Sequence, residues 1–498
     1  MKSKILFCFL FLAVLTITAS RSLAVDNFAN TLKTELSFSA LPTAELSAEN
    51  DDEDDEADIA EITSEIGTMM TGMIAGHDEE DIDWEQLASG RSQAVTWDIV
   101  LNQLENNWEQ ELQAYYGSSD TDEGITLPKI QQTLVNLQGE TGQKTALVYL
   151  DSRKDGLDIL LVTADSPPVR HSVPEAKREV LFKTAGQLLV RIDNKGRTIG
   201  RSYLAPAKEL YRWIMAPVVP QLDRQKINNL IFVSDYGLRS IPMGVLHDGQ
   251  QFLIEKYSIS NSPSFGMVDP KFKSIKNSPI LAMGASTFTN QSPLPAVPVE
   301  LRLITQDAGR GVSFLNQPFT VNNLINQRRQ QPFEIVHLAT HADFNSGSAD
   351  RSYIQFFDSQ LLLNDLSKLG LSDPPVQLLV ISACQSAVGN KNAELGFAGL
   401  AIKSGVHTVV ASLWSVSDEG TLALMNDFYR QLRTAPIKAE ALRQAQIAMI
   451  KGNIQIENGQ LITNQARTPL PPELANLNVR NLSHPYYWSA FTMIGSPW

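Results

Sequence analysis

From Trp97 onward, apolar and polar positions follow two alternating rhythms. WDIVLNQLENNWEQELQAYY (97–116) repeats its apolar residues at helical spacing. KTALVYLDSRKDGLDILLVTAD (144–165) holds two apolar runs around Lys154-Asp155-Gly156, the pattern of a hairpin. Pro174 opens a helix over PEAKREVLFKTAGQLLVRI. PAKELYRWIMAPVVPQL predicts another, with Leu210, Trp213 and Ile214 on one side and Pro217 closing it. INNLIFVSD reads as a strand, and VLHDGQQFLIEKYSIS as a second hairpin turning on Asp248-Gly249.

The second half of the chain repeats this grammar more regularly. Strands are predicted in SPILAMGAS, GVSFLN, FEIVHLATHADF, VQLLVISACQSAVG, VHTVVASLWSVSDEGT and YYWSAFTMIG. Helices are predicted in VNNLINQRR, NAELGFAGLAIKSG, TLALMNDFYRQLR and IKAEALRQAQIAMIKG. Strands alternating with helices imply an α/β fold, a mostly parallel sheet with helices on both faces. No short-period repeat is visible.

Composition adds little to the folded part. Of 498 residues, 43% are hydrophobic and 19% charged, ordinary for a chain that buries a core. The N-terminus is different. Lys2 and Lys4 precede the apolar ILFCFLFLAVLTIT, and Ser22 and Ala24 supply small residues before a cut. This is the layout of a secretory signal peptide over 1–24, with an uncleaved anchor as the alternative. Cleavage would remove Cys8 and leave a mature, periplasmic or extracellular protein with one cysteine and no internal disulfide. No later segment is apolar enough to span a bilayer, so no membrane is expected for the mature form.

Charge divides the chain again. Between Glu45 and Glu85 there are 17 acidic residues and no Lys or Arg, which accounts for a net charge of −14. From Ser92 to the end, 36 basic residues balance 36 acidic ones. Like charges at that density hold a chain open, so 25–91 is expected to be an acidic, disordered segment. It lacks the spacing of a Ca²⁺ loop. The absence of a basic stripe argues against nucleic acid.

Candidate chemistry lies at two strand ends. In an open α/β sheet, reactive groups gather at the carboxyl ends of the strands. VHLATHADF ends on His341, and LLVISACQSAVG carries Cys384 just past its strand, 43 positions later. Adjacent parallel strands would bring the two face to face. An imidazole beside a thiol raises its thiolate fraction and later protonates a leaving amine. A buried, merely space-filling Cys384 is the alternative. His337 and His341 would lie ~13 Å apart along a strand, too far to share a metal. No metal and no cofactor is expected. G-x-S-x-G, H-E-x-x-H and P-loop patterns are all absent.

VHLATHADF, LLVISACQSAVG, VVASLWSVSDEGT and HPYYWSAFTMIG together resemble the signature blocks of the CHAT domain family, grouped with caspases, separases and gingipains. The resemblance extends back through YLAPAKELYRWIMAPV and IFVSDYGLRSIPMGVLHDGQQFLIEKY, from Leu147 to Trp498, about 70% of the chain. It implies a caspase-like three-layer sandwich and a cysteine endopeptidase acting on protein or peptide substrates. A caspase places its His about 50 residues before its Cys, close to the spacing here. The resemblance makes His341 the base, His337 structural and Cys384 the nucleophile. It gives the oxyanion hole to the backbone N–H groups of Cys384 and Ala342, where Ala342 replaces a usual glycine. It assigns no third catalytic residue, although Asp343 is close by. Asp418, 34 residues after Cys384, corresponds to an acidic pocket residue that would select Arg or Lys. Capping of the helix that follows is the other reading of Asp418.

The expected organisation is then a signal peptide over 1–24, the acidic segment 25–91, a pseudo-caspase-like half over 92–270 and a catalytic half over 271–498. In EQLASGRSQ, Arg91 stands between acidic segment and folded part and is a candidate self-cleavage point. The alternative function is a catalytically inactive caspase-like scaffold or binding module. The sequence does not specify an oligomeric state.

Overall fold

The computed structural model describes residues 97–116, 124–193, 200–235, 237–307, 309–343, 351–383, 396–475 and 481–498. The segments 1–24 and 25–91, and with them Cys8 and Arg91, lie outside the described residues, as does Cys384.

The first half contributes strands β1 (Thr145–Arg153), β2 (Gly156–Thr163), β3 (Ser166–Val173), β4 (Asn229–Ser234) and β5 (Ser258–Ser262). The second contributes β6 (Ile280–Gly284), β7 (Gly311–Leu315), β8 (Ile335–Ala339), β9 (Ala342–Asp343), β10 (Tyr353–Gln355), β11 (Gln360–Leu362), β12 (Leu378–Ser382) and β13 (Thr408–Ser412). The short β14 (Gln455–Glu457), β15 (Gln460–Ile462) and β16 (Arg467–Pro469) precede the last strand, β17 (Phe491–Gly495).

Eleven of these form one sheet in the order β3-β2-β1-β4-β5-β17-β13-β12-β8-β6-β7. It is parallel except for the β1–β2–β3 meander and the β13–β17 pair. The halves form adjacent blocks that meet where β5 runs parallel to β17, and Asn261 Nδ2 donates to Thr492 Oγ1 at 2.8 Å across the join. Every residue of β4, β6, β8, β12 and β13 is buried. Side chains alternate between sheet faces, so continuous burial means that both faces are covered. The predicted α/β architecture with a mostly parallel sheet and helices around it is therefore observed. Each buried Leu, Ile or Val contributes about 1.5–3 kcal/mol of apolar transfer.

Several local expectations change. The pattern 245–260 is not a two-stranded hairpin. The turn at Asp248-Gly249 closes a single bridge between His247 and Phe252, a short helix Leu253–Lys256 follows, and β5 pairs in parallel with β4 instead. The helix expected to close at Pro217 ends at Ile214, and a further short helix, Val219–Gln225, follows the proline. Strand β3 was not evident in SPPVRHSV. Its two prolines are tolerated because β3 is the edge of the sheet. The three-stranded sheets β9–β11 and β14–β16 also go beyond the periodicity.

Candidate active site

β8 and β12 are adjacent and parallel, in the register Leu378↔Ile335 through Ser382↔Ala339. The Thr340 N–H extends the pairing to the Ser382 carbonyl at 3.2 Å. His341 and Cys384 each follow their strand's paired end by two positions. Ala383, the last described residue before Cys384, is held by Ser412 Oγ of β13, which donates to its carbonyl at 2.5 Å. Three neighbouring strands thus converge on one carboxyl edge, where the sequence carries the imidazole and the thiol.

On the other side of β8 lies β6. A Cβ at Gly284 would stand 2.4 Å from the Ala339 carbonyl oxygen, so only glycine allows this close approach. The next residue, Ala285, donates its N–H to that carbonyl at 3.1 Å. The chain then runs over the edge as a segment from Ser286 to the short helix Val297–Arg302. Its start is anchored by Asn316, in the left-handed region at φ 60, whose Oδ1 accepts the Ser286 N–H at 2.8 Å.

This segment holds the His341 ring. Nε2 lies 2.8 Å from the Ser292 carbonyl oxygen, and the ring packs against Phe288 with centroids 4.6 Å apart. A carbonyl only accepts, so Nε2 carries a proton, and in the neutral imidazole Nδ1 is the lone-pair nitrogen. Asp343 is exposed and pairs in register with Tyr353 of β10, while the ring nitrogen is engaged by Ser292.

Ala342 lies in the extended strand β9 opposite Ile354, so no left-handed backbone is required of it. The Gln355 N–H donates to the His341 carbonyl at 2.9 Å. That bond makes Ala342–Ile354 the intervening non-hydrogen-bonded pair, which directs the Ala342 N–H away from β10. The substitution of glycine by alanine therefore costs nothing in conformation and leaves a donor pointing outward.

Asp418 is the first residue of the helix Asp418–Gln431. The cap is Ser417, whose Oγ accepts the Gly420 N–H at 3.0 Å, and not Asp418 as the capping reading had it. Asp418 Oδ2 instead accepts the Ala296 N–H at 2.6 Å. Burial pushes its carboxyl up to about 7, opposed by the Ala296 bond and aided by the charges of Glu300 and Glu419.

His337 is fully buried, 0% exposed, between Tyr429 and Glu300. Sequence reasoning missed Phe288, Ser292, Ala296 and Glu300. The signal available was the string SPLPAVPVE, whose closely spaced prolines mark a strap running into a helix start and whose glutamate stands in an otherwise apolar stretch. Among the described residues, no group of three or more His, Cys, Asp or Glu is placed to hold a metal ion, and no helix is long and apolar enough to cross a membrane.

A mostly parallel α/β sheet with a carbonyl-held histidine at its carboxyl edge defines the class. The CHAT domain family model matches residues 204–496, more than half of the chain, and the protein belongs to that family. The match starts later than the Leu147 start of the sequence resemblance. Among solved structures, the Saccharomyces cerevisiae separase–securin complex is similar over 95% of this chain and 40% of that chain, at 9% identity and TM-score 0.46. The Porphyromonas gingivalis RgpB pro- and mature domains are similar over 58% of this chain and 71% of that chain, at 14% identity and TM-score 0.34. The protein thus spans about two fifths of the separase chain. No curated protein matches it.

Proposed function

We propose that this CHAT-domain protein is a cysteine endopeptidase that hydrolyses peptide bonds with Cys384 and His341. The observation that carries the reading is the His341 ring. Its Nε2–H is fixed on the Ser292 carbonyl at 2.8 Å, which leaves Nδ1 as the base at the edge where Cys384 follows β12. Neighbouring strands stand about 4.8 Å apart, so side chains leaving equivalent positions of β8 and β12 start within reach of one another.

The chemistry follows from those roles. His341 Nδ1 takes the proton from Cys384 Sγ, and the thiolate attacks the scissile carbonyl carbon. The N–H groups of Ala342 and Cys384 stabilise the oxyanion. Imidazolium Nδ1–H protonates the departing amine, leaving a thioester on Sγ. Nδ1 then deprotonates a water that attacks the acyl carbon, and thiolate departs with the new carboxylate released. Asp418 would receive an Arg or Lys side chain before the cleaved bond.

The reading extends to the N-terminus. We take 1–24 as an export signal and Arg91 as a point of self-cleavage that would release the acidic segment. Intact mass of the purified protein with and without Cys384→Ala reads the latter, and an unclipped active form sinks it. For the site itself, thiol alkylation and hydrolysis of a peptide library are compared in wild type, Cys384→Ala and His341→Ala. The expected result is labelling at Cys384 with an alkylation midpoint below the free-thiol 8.5, and a loss of about 10²–10⁴-fold in turnover without His341. A free-thiol midpoint and no Cys384-dependent cleavage would leave the scaffold reading.

A further inference from the structure

Glu300 is 1% exposed, on the buried side of the helix Val297–Arg302. A carboxyl taken so far from water must be compensated by partners. Ser382 Oγ, at the end of β12, donates to its Oε1 at 3.0 Å. His337 Nε2, on β8, lies 2.9 Å from the same oxygen, off the line of an aligned hydrogen bond. The other side of that ring fixes its proton. Burial, then the Glu300 charge, push the Tyr429 phenol well above its ordinary range, so it stays protonated. Its O–H, 3.1 Å from His337 Nδ1, is available to donate there. Nε2 faces a carboxylate oxygen that only accepts, so it is a ring nitrogen that carries a proton toward Glu300.

The positions of these contacts matter more than their number. Ser382 is two residues before Cys384, and His337 four before His341. One carboxyl oxygen therefore joins the two strands that end at the site. The strap that carries it touches the site at three points four residues apart: the Ser292 carbonyl on His341, the Ala296 N–H on Asp418, and Glu300 on His337 and Ser382. Glu300 is the one anchor among them that acts through a buried side chain, and it closes the span that Asn316 opens at Ser286.

We propose that Glu300 is a positioning residue, whose carboxyl ties β8 to β12 and locks the strap in the register that presents the Ser292 carbonyl to His341. This rests on the Cys384–His341 reading for its consequence in catalysis. Glu300 does not touch a reacting atom. It sets where the imidazole sits and which nitrogen carries the proton, and misplacement by about 1 Å lowers turnover about a hundredfold. The charged and titratable groups facing Glu300 are His337 from β8 and Asp418 and Tyr429 from the helix Asp418–Gln431, with Arg310 acting on Tyr429. Removing the Glu300 charge would therefore also lower the pH at which Asp418 ionises.

The test compares wild type, Glu300→Gln, Ser382→Ala and Cys384→Ala. Ring-nitrogen NMR reads the His341 tautomer, and steady-state kinetics on a cleaved peptide read turnover. Wild type should show one tautomer, protonated at Nε2. Glu300→Gln should show mixed tautomers and a kcat lowered about ten- to a hundredfold, with KM within about threefold. Ser382→Ala, which deletes one hydroxyl, should move the same way by less, and serves if Glu300→Gln fails to fold. A folded Glu300→Gln or Ser382→Ala with the wild-type tautomer and kcat overturns the proposal. If wild type cleaves nothing, the endopeptidase reading fails, and the tautomer comparison still decides whether Glu300 positions His341.

Discussion

Asp418 offers a test in which stability and activity should move in opposite directions. Its carboxyl is pushed from an ordinary 3.8 up to about 7, first by burial. The sign follows from linkage. Below 3.8 the group is neutral in both folded and unfolded chains and costs nothing. As pH rises from there, the unfolded chain ionises freely while the folded one resists until about 7, so wild-type stability falls across that interval and levels off above it. At 1.36 kcal/mol per pH unit the full interval amounts to about 4 kcal/mol, and residual solvent screening reduces this to roughly 2–4 kcal/mol. Asp418→Asn removes the titration yet keeps an oxygen to accept the Ala296 N–H. Urea unfolding at pH 5 and pH 8 should show the variant gaining about 2 kcal/mol on wild type between the two pH values. The same variant should lose cleavage after Arg and Lys, because a neutral amide no longer pairs a cation. Wild-type preference for basic over neutral side chains should rise with pH through about 7. A gap between variant and wild type that is the same at pH 5 and pH 8 would refute the assignment of a buried, titrating carboxyl.

Three further outcomes probe the framework around the site. Asn316→Ala should cost about 2 kcal/mol in urea unfolding, from a left-handed φ of 60 and the lost bond to Ser286, and Asn316→Gly about half of that because it relieves the backbone. Glu105→Ala strips the acceptor from the Tyr149 hydroxyl (2.6 Å) and the Phe265 N–H (2.8 Å), so it should cost about 2–4 kcal/mol and expose the helix Trp97–Tyr116 to limited proteolysis. Burial brings Lys438 down from 10.5 to about 7, so wild-type stability falls as pH drops through that interval. Lys438→Met should therefore gain about 2 kcal/mol on wild type between pH 9 and pH 6, and a constant gap in thermal unfolding would contradict it.

The fold was legible where a strand is buried on both faces. ILAMG, IVHLA, LLVIS and TVVAS are short apolar runs, and each is a central strand of the sheet. The edge carrying His341 followed from the rule that such sheets work at their carboxyl ends. What stayed hidden is what acts through the backbone. Ser292 contributes a carbonyl and Ala296 an N–H, and neither leaves a side-chain signature. The helix Val297–Arg302 is six residues long, too short to show a period. Ser417 and Asp418 are both good capping residues, and a one-residue boundary decided between them. The Asp248-Gly249 turn is real, but the strand after it found its partner in β4 rather than across the turn.

Perturbed ionisation alone does not mark a functional site. Asp418 and Lys438 are both brought to about 7 by burial, from opposite directions. Lys438 is influenced by Asp269, which pairs with His407 at 2.6 Å. His407 immediately precedes β13, so that cluster lies at the amino end of the strand, the edge away from His341. Asp418 follows the other end of β13, six residues past Ser412, and is bonded to the strap that holds the His341 ring. The two groups carry similar electrostatic strain at opposite edges of one sheet. On the proposed reading, the cost at the carboxyl edge, borne by a group bonded to the strap that orients the base, would be offset when a basic substrate side chain enters. A cost at the amino edge has no such outlet, so on that reading Lys438→Met should stabilise the protein and leave the proposed cleavage unchanged, whereas Asp418→Asn should change both.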